Sequence, residues 1–210
     1  MDWAEANKIA QGIIDWLRPA CERLEVAGSL RRGRQWVSDI EIVAKPKLMP
    51  FDELRPLIER VVDEGLLQEG LPSKDSKRAA FGPRYYRLQH PMPCIQVDIF
   101  VVLPPRDWGV LYCIRTGSAE FSHWIVTEAL RRGMKVKDGQ LFRMGIFDNT
   151  SRGTIYDESK LTKIPCPEEQ NFFQALGIPY LEPSQRETPP GPPGTTPPST
   201  APNQPYSIMI

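Results

Sequence analysis

The sequence predicts a mixed fold of the α+β class (mixed α/β), arranged as two small lobes sharing a cleft and followed by a Pro-rich tail. Three observations carry this expectation. The segments Asp39 to Ala44 and Ile95 to Val102 set carboxylates between branched apolar residues, as half-buried strands do. Residues 2–24, 50–65 and 118–133 space apolar residues three and four apart, as helices lying on a core do. From about Pro183 the composition changes: nine of the chain's 22 prolines fall in the last 28 residues among Gly, Ser and Thr. Such a stretch cannot bury a core and is expected to be disordered.

Taken in order, Trp3, Ala6, Ile9, Ala10, Ile13, Leu17, Ala20 and Leu24 form one apolar stripe, predicting a helix over 2–24 that covers a face of the following sheet, interrupted by Pro19. A strand ends at Val26-Ala27, Gly28-Ser29 makes a tight turn, and a basic segment leads to the strand opened by Asp39. Pro50 and Asp52 start a second helix that Gly65 stops. Short strand-like pieces follow, Leu66 to Gln68 and Tyr85 to Leu88, separated by Gly and Pro and by the basic loop Lys74 to Arg78. After the strand 95–102, Pro104-Pro105 closes the first lobe.

In the second lobe, Asp107 is expected to cap a helix from Trp108 to Ile114, with Arg115 to Ser118 as a turn and Ser118 capping the next helix. Asp138-Gly139 between Lys137 and Gln140 is the strongest hairpin signal in the chain. A looser stretch is expected up to Pro165, then a last helix opened by Pro167 and Glu168 and stopped by Gly177. The expected division is 1–104, 105–183 and a tail over 184–210.

With 26 basic and 26 acidic residues in 210, the formal net charge is zero. No global attraction to nucleic acid follows, so any such binding must use local patches. The four cysteines (Cys21, Cys94, Cys113, Cys166) are far apart and only two histidines are present, which argues against zinc and for buried reduced thiols. The N-terminus lacks the basic-then-apolar pattern of a signal peptide, and no apolar run would span a bilayer. A cytoplasmic location, at the nucleoid if bacterial, is the expectation.

The chemistry concentrates at residues 26–43. Asp39 and Glu41 point to one face of their strand while Ile40 and Ile42 point to the core. Adjacent carboxylates repel, and a hard divalent cation such as Mg²⁺ relieves that repulsion while keeping positions open for phosphate oxygens. The Gly28-Ser29 turn offers backbone N–H groups and a hydroxyl, and Arg31 and Arg32 add positive charge, so an anion site adjoins a cation site. A metal-bound nucleoside triphosphate suits both. Asp98, flanked by Val97 and Ile99, repeats the pattern. On an edge strand facing water it would need no partner, but together with Asp39 and Glu41 it reads as a third metal ligand.

These residues carry a resemblance. Gly28-Ser29, nine residues, then Asp39-Ile40-Glu41-Ile42 is similar to the signature of the nucleotidyltransferase superfamily, and Gly28-Ser29-Leu30-Arg31-Arg32-Gly33 resembles its family X DNA polymerase branch, the polymerase-beta-like enzymes. The likeness continues through Val97-Asp98-Ile99-Phe100, Trp108 to Tyr112, Thr116-Gly117-Ser118 with Phe121, and the segment Phe173 to Pro183, and so spans residues 26–183. It implies a nucleotidyltransferase palm with a mixed sheet and a carboxylate triad, then a small α/β thumb. It also implies transfer of a nucleotide from a dNTP to a primer 3′-hydroxyl with two Mg²⁺ ions, for which Mn²⁺ can substitute.

On that resemblance Asp39, Glu41 and Asp98 are the catalytic residues and metal ligands, with Asp98 joining only the metal that activates the hydroxyl and accepting its proton. Gly28, Ser29 and Arg32 would bind the triphosphate, and Gly117, Ser118, Ile114 and Arg115 would face the sugar. The implied partners are primer-template or gapped DNA and dNTP or rNTP, with no membrane, the chain acting as a monomer in short-gap repair.

The chain departs from the family pattern at several positions. Glu41 replaces an aspartate, and Ile114-Arg115 replaces the Tyr-Phe pair that crowds a 2′-hydroxyl, which predicts weak exclusion of ribonucleotides. Val37, Gln96 and Ser122 stand for a serine, an arginine and an asparagine of the family. No lyase or helix-hairpin-helix region precedes the palm, so a distributive enzyme with salt-sensitive DNA binding is expected, Arg131, Arg132, Lys135 and Lys137 being candidate phosphate contacts. Two other readings stay open: transfer to another acceptor (an untemplated end, RNA, a small molecule or a protein), and a silent scaffold whose tail recruits partners.

Overall fold

The computed structural model describes residues 1–47, 54–70, 81–150 and 153–190. Helix α1 (Trp3–Leu17) is capped by Asp2, whose side chain accepts from the Glu5 N–H. It is shorter than the expected 2–24. Pro19 cannot continue the α-helical ladder, so the chain tightens into a 3₁₀ turn (Arg18–Ala20) and straightens into strand β1 (Cys21–Val26). Leu24 therefore meets the core from a strand rather than a helix. A one-turn helix, α2 (Gly28–Arg31), occupies the expected glycine turn, and β2 (Asp39–Pro46) follows.

Helix α3 (Leu54–Asp63) and strands β3 (Gln68–Glu69), β4 (Phe81–Gly82), β5 (Tyr85–His90) and β6 (Ile95–Val101) complete the first lobe. The expected helix start at Pro50 and Asp52 and the basic stretch 74–78 lie outside the described residues. The sheet is mixed, in the order β1-β2-β6-β5-β3 with β4 on β5, and among the described residues its one parallel pair is β2 with β6.

One face of this sheet (Ile40, Ile42, Val97, Ile99, Val101, Tyr86, Leu88) packs on α1 and α3 through Ala10, Ile13, Leu17, Ile58 and Val61. The other face (Ala27, Val43, Phe100) is covered by α4 (Trp108–Thr116), which contributes Trp108, Leu111 and Tyr112. The back of α4, Val110 and Cys113, packs against α5 (Ala119–Arg131), β7 (Met134–Lys137), β8 (Gln140–Thr150) and α6 (Glu169–Leu176) through Phe121, Ile125, Leu141, Phe172 and Phe173. Buried on both sides, α4 carries apolar residues all round, as a helix between two layers must. It is the shared wall of the two lobes.

Three further expectations are corrected. Asp107 makes no side-chain cap to α4; it accepts instead from the Cys166 N–H (3.3 Å) and pairs with Lys163 (3.0 Å). The looser stretch before Pro165 is a long hairpin of β8 with β9 (Gly153–Ile164), its register shifting between Met144 and Gly145 and again between Ile146 and Asp148. Those irregularities break the alternation that would have announced it. The tail does not loosen at 184: after a 3₁₀ turn (Pro183–Gln185), Arg186 is fully buried. Residues 191–210 lie outside the described residues. Other expectations hold, including Ser118 capping α5, the Asp138-Gly139 hairpin turn with both residues at positive φ, and Gly177 closing α6 in the left-handed conformation.

Glu169 ties the lobes together. Its carboxylate accepts from Arg31 at 2.8 and 2.7 Å and from Arg186, and all three groups are buried or nearly so. Burial would raise the Glu169 pKa, but the hydrogen bonds from Arg31 and Arg186 hold it below the usual carboxylate range. Truncating one member of a buried ionic set strands the others without compensation, at a cost on the order of 3–5 kcal/mol. Glu169→Ala is therefore expected to lower unfolding stability by about that amount, measured by urea denaturation. A loss of a few tenths would mean that the cluster is solvated and does not hold the lobes.

Candidate active site

The parallel register of β2 and β6 sets Asp39 opposite Gln96 and Glu41 opposite Asp98. Directly paired residues share a sheet face, so Glu41 and Asp98 stand side by side on the face turned toward α4, with Asp39 two residues along. Asp98 is 5% exposed on a strand paired on both sides, which removes the edge-strand reading. Its burial is supported by partners. Oδ1 accepts from the Tyr85 hydroxyl (2.7 Å) and from Arg87 Nε (3.2 Å), and Oδ2 from the Gln96 amide (2.8 Å). Burial and the Asp98 hydrogen bond push the Tyr85 phenol up to about 12, so it stays a donor.

Glu41 lacks such support. Burial, then the neighbouring Asp39 and, more weakly, Asp98 push its pKa up to about 7, against the opposing pull of Arg115 and Arg32. Gly28 sits against it. That residue has φ of 58°, and a Cβ there would collide with the Glu41 carboxylate, so both the backbone and the space call for glycine.

A cavity of about 340 Å³ opens over Asp39 and Glu41, walled by Ser29 and Arg32 from the first lobe and by Ile114, Gly117 and Ser118 from the α4–α5 junction. Among the described residues the buried Ser29 hydroxyl has no hydrogen-bond partner, an orphaned donor at the wall of this space. A side chain on Gly117 would strike the Phe121 ring and the Ser122 hydroxyl, so the junction admits only glycine at that packing. Among the expected residues the structure thus brings together Ser29, Arg32, Asp39, Glu41, Ile114, Arg115, Gly117 and Ser118, with Gly28 behind Glu41. Asp98 lines an adjoining cavity that also reaches Glu41 and Arg115. Among the described residues, no three His, Cys, Asp or Glu side chains converge closely enough to hold a metal ion as they stand.

The two arginines of the Gly28 to Gly33 segment are not free charges. Arg31 is spent on Glu169, on the Thr116 hydroxyl (2.6 Å) and on the Tyr112 ring, so it is a structural residue. Arg32 donates to the Thr116 carbonyl (2.7 Å) and, through Nε, to the Glu187 carboxylate (2.8 Å). Ser118 both caps α5 and donates to the Glu187 carbonyl (2.6 Å). Sequence reasoning missed Tyr85 and Arg87, whose strand was visible but not its pairing to Asp98. It also missed Glu187, placed in the tail by composition alone. Among the expected phosphate contacts, Arg131 and Arg132 pair with Glu128 on their own helix face.

Residues 111–187 match the family model described as DNA polymerase beta thumb. DNA polymerase lambda from Rattus norvegicus is 25% identical over 173 residues, which cover 76% of this chain and 28% of that relative. Both likenesses are to DNA polymerases, and the thumb match covers the second lobe alone. The chain spans little more than a quarter of that relative's length. The thumb match starts inside α4, at the wall that both lobes share, and ends at Glu187, the residue that closes on Arg32. No helix among the described residues is long and apolar enough to cross a membrane.

The raised Glu41 pKa has a sign. The folded state holds that proton more tightly than the unfolded chain, so the group's contribution is most favourable below about 4.5 and is lost as pH rises through about 7. The loss is on the order of 3 kcal/mol. Glu41→Gln is expected to raise the melting temperature in EDTA at pH 8 and to leave it nearly unchanged at pH 4.5. Equal shifts at both pH values would show that Glu41 is not the buried acid described.

Proposed function

We propose that this chain is a template-directed DNA polymerase of the family X type, which joins dNTPs to a primer 3′-hydroxyl while filling short gaps in repair, distributively and with weak exclusion of ribonucleotides. The observation that carries the reading is the cavity over Asp39 and Glu41, which gathers a phosphate-binding set (Ser29, Arg32) and a sugar-side set (Ile114, Arg115, Gly117, Ser118) around a carboxylate wall. The thumb match and the likeness to a polymerase support it.

Two Mg²⁺ ions belong to this proposal. The donor chemistry suits them, because the wall consists of hard oxygen ligands whose mutual repulsion and burial raise Glu41. Asp39 and Glu41 would hold both, and Asp98 would join one after exchanging its Tyr85, Arg87 and Gln96 partners. Bound there, the ions would acidify the attacking hydroxyl and neutralise the leaving pyrophosphate.

The chain's own residues do the rest. Ser29, with an unpaired hydroxyl, and Arg32 take the triphosphate, the latter by a charge-assisted hydrogen bond. Gly117 keeps the sugar side low. Asp98 accepts the hydroxyl proton once released. Ile114 and Arg115, in place of an aromatic pair, leave the 2′ position uncrowded. Arg32 must first leave Glu187, a partly exposed pair worth about 0.5–1 kcal/mol. Glu187→Gln is therefore expected to tighten dNTP binding by about two- to fivefold, measured by isothermal titration. An unchanged affinity would show that Arg32 binds no phosphate.

The activity is tested by primer extension on one-nucleotide-gapped DNA with Mg²⁺, comparing each dNTP and rNTP. Template-matched addition is expected, with a small dNTP-to-rNTP ratio, and falling by roughly 10²-fold or more in Asp39→Ala and Asp98→Ala. Triphosphate binding without templated addition would favour the second reading, transfer to a different acceptor, which the zero net charge keeps in view.

A further inference from the structure

Behind Glu41, on the β5 side of the carboxylates, lies a second cavity of about 410 Å³. Its charged lining is Arg84, Arg87, Arg106, Arg115, Glu41 and Asp98. Four guanidiniums face two carboxylates, and their pairing is uneven. Arg87 is held by Asp98 at 3.2 Å, and Arg84 reaches Asp138 only at 3.9 Å on the surface. Arg106 donates one Nη to the Val101 carbonyl, and its buried Nε has no partner among the described residues. Arg115 stacks on the Phe100 ring at 3.8 Å, and its buried Nε is likewise unpartnered. Neither Arg106 nor Arg115 has a carboxylate within ion-pair distance among the described residues.

Desolvating a guanidinium and leaving its N–H unpaired is costly, and like charges in one cavity add to that cost. Burial, and after it the charges of Arg84 and Arg115 acting against Asp138, push Arg106 below its ordinary range. An anion with several acceptor oxygens removes all three penalties. Phosphate is the group that arginine forks fit, through paired N–H donors spread over one plane. The space is many times the roughly 30 Å³ that one water occupies in the liquid.

We propose that this cavity is a phosphate-binding site separate from the triphosphate cavity, with Arg106, Arg115 and Arg84 as its donors. The two cavities meet at Glu41 and Arg115, which line both, so a phosphate here lies across the carboxylates from the triphosphate. Its source is either the last phosphodiester of an acceptor strand or free inorganic phosphate. The site stands on its arginines alone; only the assignment to a strand rests on the polymerase reading.

The test titrates inorganic phosphate into the full chain in EDTA, with binding followed by ³¹P NMR line width. Saturable binding is expected, weakened at least fivefold in Arg106→Gln and in Arg84→Gln and less in Arg32→Gln. The Arg84 side chain is exposed and reaches Asp138 only at 3.9 Å, and its backbone bond to Val101 survives substitution, so its variant keeps the test informative if Arg106→Gln unfolds. A short oligonucleotide without terminal phosphates is the second arm. If a strand is the source, it displaces phosphate and its own binding weakens in the same two variants. If the free ion is the source, phosphate stays bound. Absence of saturable binding by both probes, or binding that only Arg32→Gln weakens, overturns the site. Phosphate binding that responds to Arg106 and Arg84 alongside absent primer extension would sink the polymerase reading and leave this site standing.

Discussion

The parallel pairing of β2 with β6 is the constraint on which the candidate site depends. Parallel neighbours cannot be joined by a tight turn, so the chain leaves β2, builds α3 and the small strands, and returns along β6. The register at which it returns sets Glu41 beside Asp98. A slip of one residue would turn Asp98 to the α1 face, among Ile40, Ile42 and Val97, where it would meet only apolar side chains. The apolar residues between the acids therefore set the acids' positions. Ile40, Ile42, Val97 and Ile99 are wholly buried, and that burial fixes which way the carboxylates face.

Carboxylates gathered on one wall need countercharge, and the molecule supplies it in two different ways. Asp98 is bonded at both oxygens and sits in a settled network. Glu41 is set against a glycine backbone and a second acid, with Arg115 acting on it only through space. The same region thus holds one satisfied acid and one frustrated one. A divalent cation would answer the frustrated acid without disturbing the other, whereas engagement of all three asks the Tyr85 and Arg87 contacts to yield. That asymmetry is electrostatic. It arises from the order of strands, since Asp98 has β5 as its neighbour and Glu41 has the Gly28 turn.

The acid set, the core strands, five helices and the Asp138-Gly139 hairpin were legible in the sequence because each is written in local periodicity or a local turn. What stayed hidden is long-range. Arg31 looked like a substrate-facing charge, yet its partner Glu169 lies 138 positions away, and Arg32 meets Glu187 at a separation of 155. No pattern along the chain announces such a pair. The β8–β9 hairpin was hidden for a different reason: its bulges interrupt the two-residue period, and its exposed Ile146, Phe147 and Ile155 mimic neither a core strand nor a solvated one. The composition of the tail pointed toward disorder, but Arg186 and Glu187 stand at its edge and are recruited by charge, which composition does not register.

Arg115 joins these strands of the argument. In the sequence it was a departure beside the sugar, a cation where the family carries an aromatic ring. In the fold it stacks on Phe100, borders both cavities and acts on Glu41 from the α4 side. A ring at this position would fill space and leave the carboxylates alone. A guanidinium instead lies between an acid wall and a cluster of arginines, attracted by the first and repelled by the second, with its Nε unbonded. Its position therefore depends on what occupies either side. A cation at Glu41 would offset the attraction, and an anion among Arg84 and Arg106 would offset the repulsion.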